Sequence, residues 1–296
     1  MKIPPGRIAF ALLFTAGLAA CSSIATPGVS LERRPTHALP KEGEYLIVKP
    51  PSWDREPSKR YPVLYFLHDG YGDVLTLERH GVSADLEREM REGRLPEMLI
   101  VAPGAPGSWF ADAADGSKRY ETFILDDLLP AIDATGRVLP GPRGRGVTGI
   151  SMGGDGAFRM ALKRPDLFGS VSALSGALIP FGADDLVRYN AFARWTITRV
   201  FGHPEGRNTL AENDVWQLLF HRRFDSPPFE AHLRAGTEDD YRLDQVAAQY
   251  GSTLIEHGVP TTIVLEPGRH DWSYWRHGML SIAKWHARQF AYDSGR

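Results

Sequence analysis

Cysteine is almost absent from this sequence, because Cys21 is the only one among 296 residues. A single cysteine excludes an internal disulfide and leaves no paired-cysteine site for zinc. The H-E-x-x-H signature of zinc proteases is missing as well, and His270 with His277 has no third ligand candidate at a useful spacing. The sequence therefore indicates no metal and no other cofactor.

The chain also lacks a strong charge of either sign. Its formal net charge is −2 at pH 7, which gives no electrostatic basis for binding nucleic acid. The sequence contains no internal repeat and no glycine loop of the kind that binds phosphate. Residues 41–296 are long enough for a full hydrophobic core, so one globular domain is predicted there.

Long apolar runs are confined to the amino terminus. Lys2 and Arg7 precede residues 8–20, an apolar stretch too short to span a bilayer comfortably. It ends in L-A-A-C, which resembles the signal of bacterial lipoproteins, so we predict that residues 1–20 are removed and Cys21 is lipidated. An ordinary secretory signal with a chance cysteine is the alternative. Residues 21–40, rich in Ser, Thr, Pro and Ala, are predicted to be a flexible linker.

The amino terminus thus predicts an exported protein that touches the membrane only through its lipidated end. The residue after the cysteine is Ser22 rather than aspartate, which favours sorting to an outer membrane. We expect the protein at the bacterial outer membrane or on the periplasmic face.

The most informative motif is G-I-S-M-G at residues 149–153, the G-x-S-x-G pattern of a nucleophile elbow. Residues 145–150 are a short β-type run and residues 157–164 favour a helix that stops before Pro165. A serine on such a tight turn needs glycines beside it, because side chains there would collide with the turn. The motif predicts Ser151 as a nucleophile and the Met152 N–H as one oxyanion donor. A glycine-rich turn with an incidental serine is the competing interpretation.

A general base is predicted at His270. Residues 261–266 have the pattern of a strand, P-G-R at 267–269 forms a turn, and an amphipathic stretch at 279–290 follows the histidine. The other histidines considered lack comparable neighbours and are interpreted as surface or helix-capping residues: His37, His80, His203, His221, His232, His257 and His286.

The acid of a triad is expected on the loop after a strand at residues 229–235. Glu238, Asp239 and Asp240 all lie there, before a helix predicted over residues 241–256. A carboxylate at this place could bond the histidine Nδ1–H and fix its tautomer. The residues alone leave all three acids open, with one of them expected to cap the helix.

The second oxyanion donor is expected on a glycine-bearing turn. Residues 61–67 are the strongest strand signal in the chain, and they run into H-D-G-Y-G-D at residues 68–73. The Tyr71 N–H is the predicted donor. Turns of this kind are also common in α/β proteins that have no such site.

In these segments taken together, the chain resembles the esterase D branch of the α/β-hydrolases. This branch includes S-formylglutathione hydrolases, feruloyl and acetyl xylan esterases, enterochelin esterases and mycolyltransferases. The matching segments are residues 61–72, the elbow at 149–154, G-T-E-D at 236–239, and residues 267–275 with H-x-W-x-x-W; W-F at 109–110, Y-E-T-F at 120–123 and D-L-L-P at 127–130 also resemble the stretch before the nucleophile strand.

The resemblance implies an α/β-hydrolase fold, a doubly wound and mostly parallel sheet with a small helical lid inserted at about residues 177–228. Helices are predicted there over 184–201 and 210–224. The family pattern G-T-x-D places the acid on Asp239. Asp69 departs from the usual H-G-x-x-G turn, and it is interpreted as an Asx-turn residue or a polar group facing substrate. Three tryptophans are placed to line the pocket: Trp109, Trp272 and Trp275.

The resemblance implies acyl transfer to water through an acyl-enzyme on Ser151. An exported enzyme would not act on cytosolic S-formylglutathione, so small-molecule or polysaccharide esters are expected, acetyl or feruloyl esters first and siderophore or lipid esters after them. Two alternatives stay open. One is a mycolyltransferase-like acyltransferase that passes the acyl group to a sugar hydroxyl, and the other is a non-catalytic surface-binding protein with the same fold.

Overall fold

A computed structural model describes residues 24–180, 190–202, 209–222, 224 and 226–290. Eight strands of these residues form one sheet in the order β1-β2-β4-β3-β5-β6-β7-β8. β1 and β4 pair antiparallel with β2, whereas every pairing from β4 through β3 to β8 is parallel. The strands are β1 Val29–Arg34, β2 Gly43–Val48, β3 Val63–Leu67, β4 Leu99–Pro103, β5 Arg145–Ile150, β6 Ser170–Leu174, β7 Glu230–Gly236 and β8 Thr261–Glu266.

Helices cover both faces of this sheet. They are α1 Thr76–Arg79, α2 Val82–Arg91, α3 Tyr120–Thr122, α4 Leu129–Ala134, α5 Met152–Lys163, α6 Ala191–Phe201, α7 Leu210–Asn213, α8 Val215–Phe220, α9 Leu243–Glu256 and α10 Trp272–Gln289, with a π-helical stretch Phe123–Leu128 between α3 and α4. The central strands are buried on both faces and therefore read as continuous apolar runs, as in V-L-Y-F-L of β3.

Alternate residues of β3 enter two separate cores because successive side chains of a strand point to opposite faces. Val63, Tyr65 and Leu67 pack with residues of α5 and α9. Leu64 and Phe66 pack with residues of α2 and α10. The predicted doubly wound, mostly parallel sheet is confirmed by this architecture.

The predicted linker is wrong for part of its length. Residues 29–34 form strand β1, which pairs with β2 from Val29 opposite Val48 to Arg34 opposite Gly43. The alternation of apolar and polar residues at the start of V-S-L-E-R-R is typical of a strand, but the segment around it has the composition of a linker. As a consequence β2 lies inside the sheet, between β1 and β4, and not at its edge. The predicted signal at residues 1–20 and Cys21 lie outside the described residues.

The inserted helices also differ from the prediction. α6 begins after Asn190, and residues 181–189 lie outside the described residues. The predicted helix over 210–224 is divided into α7 and α8 at Asp214, whose side chain accepts the Trp216 and Gln217 N–H groups and so caps α8. Trp216 of α8 and Phe201 of α6 are buried in the same core, so both helices pack on the body of the domain. Of these two helices, only α6 contributes residues to the cavity that contains Ser151. Among the described helices, none combines the length and hydropathy that crossing a membrane requires.

Candidate active site

Ser151 sits on a strained turn between β5 and α5. Its backbone has φ 51° and ψ −114°, a conformation that residues with a side chain rarely adopt. A Cβ on Gly149 would lie 2.1 Å from the Gly153 backbone, and a Cβ on Gly153 would lie 2.1 Å from the Leu67 carbonyl oxygen. Both glycines of the motif are therefore required by close backbone approach. The predicted elbow is the arrangement that the structure shows.

Three predicted side chains form one hydrogen-bonded chain. The Ser151 Oγ lies 3.1 Å from His270 Nε2, and His270 Nδ1 lies 2.7 Å from Asp239 Oδ2. A carboxylate only accepts hydrogen bonds, so Nδ1 carries the proton and Nε2 is left to accept the serine proton. The other Asp239 oxygen accepts the Tyr241 N–H at 2.9 Å, which fixes the carboxylate in place.

Burial separates the three candidate acids. Asp239 is buried at 2% exposure, whereas Glu238 and Asp240 are exposed and Asp240 instead faces the Arg269 guanidinium at 3.5 Å. None of the three caps the following helix, because α9 begins after Arg242, a left-handed residue with φ 55°, without a side-chain cap. The expectation that one acid caps this helix is therefore wrong.

Aromatic rings hold His270 from two sides. The Tyr241 ring meets the imidazole edge-to-face at 4.9 Å, and the Trp275 ring does so at 4.7 Å. Trp275 is itself fixed by its indole N–H, which donates to Ser175 Oγ at 3.2 Å. Asp271 caps α10 by accepting the N–H groups of the helix's first turn, so His270 is held immediately before a fixed helix start.

The predicted oxyanion turn is ordered by its own side chains. Asp69 Oδ1 accepts the Tyr71 N–H at 2.9 Å, which confirms the Asx-turn interpretation of Asp69. His68 accepts the Ala105 N–H on Nε2 at 3.0 Å, so its Nδ1 carries the proton and donates to the Asp69 carbonyl at 2.8 Å. Burial lowers the pKa of His68, which keeps it neutral in this role.

Only one of the two predicted oxyanion donors has a backbone N–H that is free to bind an oxyanion. Met152 is the first residue of α5, where a backbone N–H has no partner within the helix, and Met152 lines the cavity beside Ser151. The Tyr71 N–H is already engaged by Asp69, so its predicted role is not fulfilled in this arrangement. The sequence pattern located the turn but did not show that the inserted Asp69 would occupy this amide.

A cavity of about 570 Å³ opens beside Ser151 and His270, and all three predicted tryptophans line it: Trp109, Trp272 and Trp275. Trp109 and Phe110 have positive φ angles of 56° and 52°. Trp109 is fixed by its indole N–H, which donates to Thr196 Oγ1 at 2.9 Å, and by the buried Arg159 guanidinium, which donates to its carbonyl.

Sequence reasoning missed several residues of this cavity. His80, interpreted as a bland histidine, stacks parallel on Trp272 at 3.9 Å and lines the cavity. Tyr241 also lines it, as does Phe192, which lies in the predicted lid insertion. His80 and Tyr241 belong to no motif in the sequence, and only the proximity of Tyr241 to the acid loop could have indicated a role for it.

A second serine–histidine contact lies in the core and is distinct from this site. His286 contacts Ser170 through Nδ1 at 2.7 Å and Ser172 through Nε2 at 2.8 Å. All three side chains are buried at 1% exposure or less, so the interpretation of His286 as a surface or capping residue is wrong. Because both ring nitrogens already have serine partners, this histidine has no position left for a carboxylate and no access to substrate.

The chain is similar in sequence to known esterases and to a mycobacterial antigen. Residues 36–286 match the Esterase family model. The chain is 34% identical over 127 residues to Esterase Rv1288 of Mycobacterium tuberculosis, which covers 41% of this chain and 26% of that protein. It is 32% identical over 170 residues to the MPT51/MPB51 antigen of Mycobacterium tuberculosis, covering 54% of each. The chain thus spans about a quarter and about half of the length of these two relatives.

Solved structures share the fold across most of the chain. A ferulic acid esterase superimposes with a TM-score of 0.72 at 26% identity, covering 89% of this chain and 98% of that one. The superposition covers most of both chains, so the expected α/β-hydrolase fold is confirmed.

Proposed function

This chain belongs to the Esterase family, and from that premise we propose that it hydrolyses carboxylic esters through an acyl-enzyme formed on Ser151. The observation that carries the proposal is the hydrogen-bonded chain from Ser151 through His270 to the buried Asp239. This arrangement supplies a nucleophile, a general base and an orienting carboxylate in one line.

Each group has a defined task in the reaction. His270 Nε2 takes the Ser151 proton as Oγ attacks the ester carbonyl, and the carboxylate of Asp239 stabilises the imidazolium that forms. The Met152 N–H at the start of α5 faces the developing oxyanion. Collapse of the tetrahedral intermediate expels the alcohol, which receives its proton from His270. Water then attacks the acyl-enzyme with His270 as base, releasing the acid and restoring Ser151.

For the substrate we propose an acetyl or feruloyl-type ester on a carbohydrate. The walls of the cavity beside Ser151 are rich in aromatic rings, among them Trp109 and Trp272, which suits an aryl or short acyl group. The similarity to a ferulic acid esterase supports the same substrate class. The lipoprotein-like signal ending at Cys21 supports a substrate outside the cytoplasm.

The first test compares the mature protein with its Ser151→Ala variant on p-nitrophenyl acetate and methyl ferulate. We expect kcat to fall by about 10⁴-fold or more, as for other triad nucleophiles. Ser170→Ala is the matched control, because it removes one of the two serines that contact the buried His286 and should leave kcat within a few-fold. Equal rates in the parent and Ser151→Ala would refute the mechanism.

Transfer to a sugar hydroxyl is the second candidate, since the same acyl-enzyme can serve either acceptor. Product analysis with a free sugar present distinguishes the two: a new sugar ester indicates transfer, and free acid alone indicates hydrolysis. A binding protein without catalysis would not need the strained backbone of Ser151 together with its aligned base.

The location of the protein is a separate proposal that rests on sequence alone. Cys21→Ser should release the protein from the membrane fraction, and mass spectrometry of the membrane-bound parent should show an acylated N-terminal cysteine. A soluble, unacylated parent would contradict it.

A further inference from the structure

A second cavity, of about 450 Å³, adjoins the catalytic one. The two share a wall made by residues 70–72 of the oxyanion turn together with Phe192 and Thr196 of α6. Ser151 lines only the first of them, so a molecule bound there occupies the catalytic cavity and has a second space on the other side of this wall. An ester likewise has two halves, which meet at the carbonyl that Ser151 attacks.

Three solvent-facing aromatic rings follow this wall from the turn along α6; we call them the aromatic ledge, made of Tyr71, Phe192 and Trp195. The Tyr71 and Phe192 rings stack at 4.8 Å and 17°, and Phe192 and Trp195 lie 6.2 Å apart. Tyr71 is 73% exposed and Trp195 56% exposed. The Arg199 guanidinium lies 5.2 Å from the Trp195 ring, and residues 192, 195 and 199 share one face of the helix.

Contiguous exposed rings beside a catalytic cavity mark a binding surface, because single exposed aromatics are ordinary but a connected row of them is not. The ledge continues directly from the catalytic cavity, since Tyr71 and Phe192 line both spaces. It is also held in place, because Thr196, in the same turn as Trp195, accepts the indole N–H of Trp109.

Small and apolar residues such as Ala111, Ala113 and Val200 form part of the remaining lining of the second cavity, and polar side chains form the rest. Asp115, Ser117 and Lys118 line it together with Arg199. A fatty or aryl acyl group bound here would cover charged and hydroxyl groups without giving them hydrogen-bond partners, which is costly. A sugar ring has apolar C–H faces that stack on aromatic rings and hydroxyls at its edge that bond polar side chains. The combination of ledge and polar residues fits a sugar.

We propose that the second cavity and the aromatic ledge bind the glycan chain that carries the ester, with its acyl group in the catalytic cavity. The inference rests on the proposed function, because it assigns the alcohol half of the same ester. Substitution of Trp195 tests binding of the alcohol half of the ester separately from binding of the acyl half, since Trp195 lines the second cavity and not the first.

Binding is tested without catalysis, in the Ser151→Ala protein, by calorimetric titration with four probes: xylohexaose, cellohexaose, mannohexaose and chitohexaose. We expect at least one to bind, with Trp195→Ala weakening Kd tenfold or more and Trp195→Phe retaining most of the affinity. Phe220→Ala is the matched control, an aromatic of 55% exposure on α8 that lines neither cavity. The proposal is overturned if no hexaose binds, or if Trp195→Ala binds as tightly as the parent.

A kinetic comparison separates this inference from the proposed function. Trp195→Ala, with Ser151 intact, should lower kcat/KM for a feruloylated xylo-oligosaccharide at least tenfold more than for methyl ferulate, mainly through KM. Equal losses on both esters would place the acyl group on the ledge and overturn the glycan assignment. Hydrolysis of methyl ferulate without hexaose binding would leave the esterase standing and remove the glycan site. Hexaose binding by a parent protein that hydrolyses neither ester would support the glycan site and refute the esterase activity.

Discussion

Replacing His232 with phenylalanine should make the free energy of unfolding less dependent on pH between pH 7.5 and pH 5.5. His232 lies on β7, is 4% exposed, and packs edge-to-face on Trp285 at 5.1 Å. Neither ring nitrogen has a hydrogen-bond partner among the described residues. Burial, with the charges of Arg234 and Arg288 adding to it, lowers the pKa of His232 from 6.5 to about 4.

The sign follows from proton linkage. Between pH 6.5 and about 4 the unfolded chain binds a proton at this histidine and the folded protein does not, so the free energy of unfolding falls as the pH falls. The contribution of His232 to the free energy of unfolding is fully present above pH 6.5 and decreases by about 1.4 kcal/mol for each pH unit below that value. The total loss from this single group reaches about 3 kcal/mol at pH 4.

The assay is urea unfolding of parent and His232→Phe at pH 7.5 and pH 5.5. The parent should lose about 1.3 kcal/mol more unfolding free energy over this interval than the variant. His286 is also buried, and burial, followed by the charge of His232, lowers its pKa well below the usual value; the larger cause, burial, remains in both proteins. His277→Gln, an exposed histidine of α10, controls for the loss of one histidine. The same pH dependence in parent and His232→Phe would refute the reasoning.

Two further predictions concern the site. Asp239→Asn should lower kcat for p-nitrophenyl acetate by about 10³- to 10⁴-fold with the fold retained, because an amide can hold His270 in the wrong tautomer. The control variant Asp240→Asn should leave kcat nearly unchanged. Similar losses of kcat in both variants would contradict the assignment of Asp239 as the triad acid. Gly153→Ala should prevent the elbow from forming, since its Cβ would lie 2.1 Å from the Leu67 carbonyl oxygen, and a folded variant with parental kcat would show that the turn tolerates a side chain.

The sequence determined the local structure of this protein. Strands β5 and β8 have the predicted bounds of 145–150 and 261–266, because their apolar and β-branched patterns depend on residues close in the chain. The elbow was predictable for the same reason, since the glycines that permit Ser151 to adopt its backbone conformation stand within two positions of it. The resemblance to a family extended these segments to the α/β-hydrolase fold.

Tertiary structure alone decided which side chains meet. Ser151 and His270 are 119 positions apart, and no local pattern fixes a contact over such a distance. Residue-level reasoning left three acids open, and burial separated Asp239 from its neighbours. The stacking of His80 on Trp272, the aromatic ledge beside the turn and the pairing of β1 likewise depend on how distant elements pack. Sequence patterns describe what each segment can form, whereas contacts between segments follow from the packing of the whole sheet and its helices.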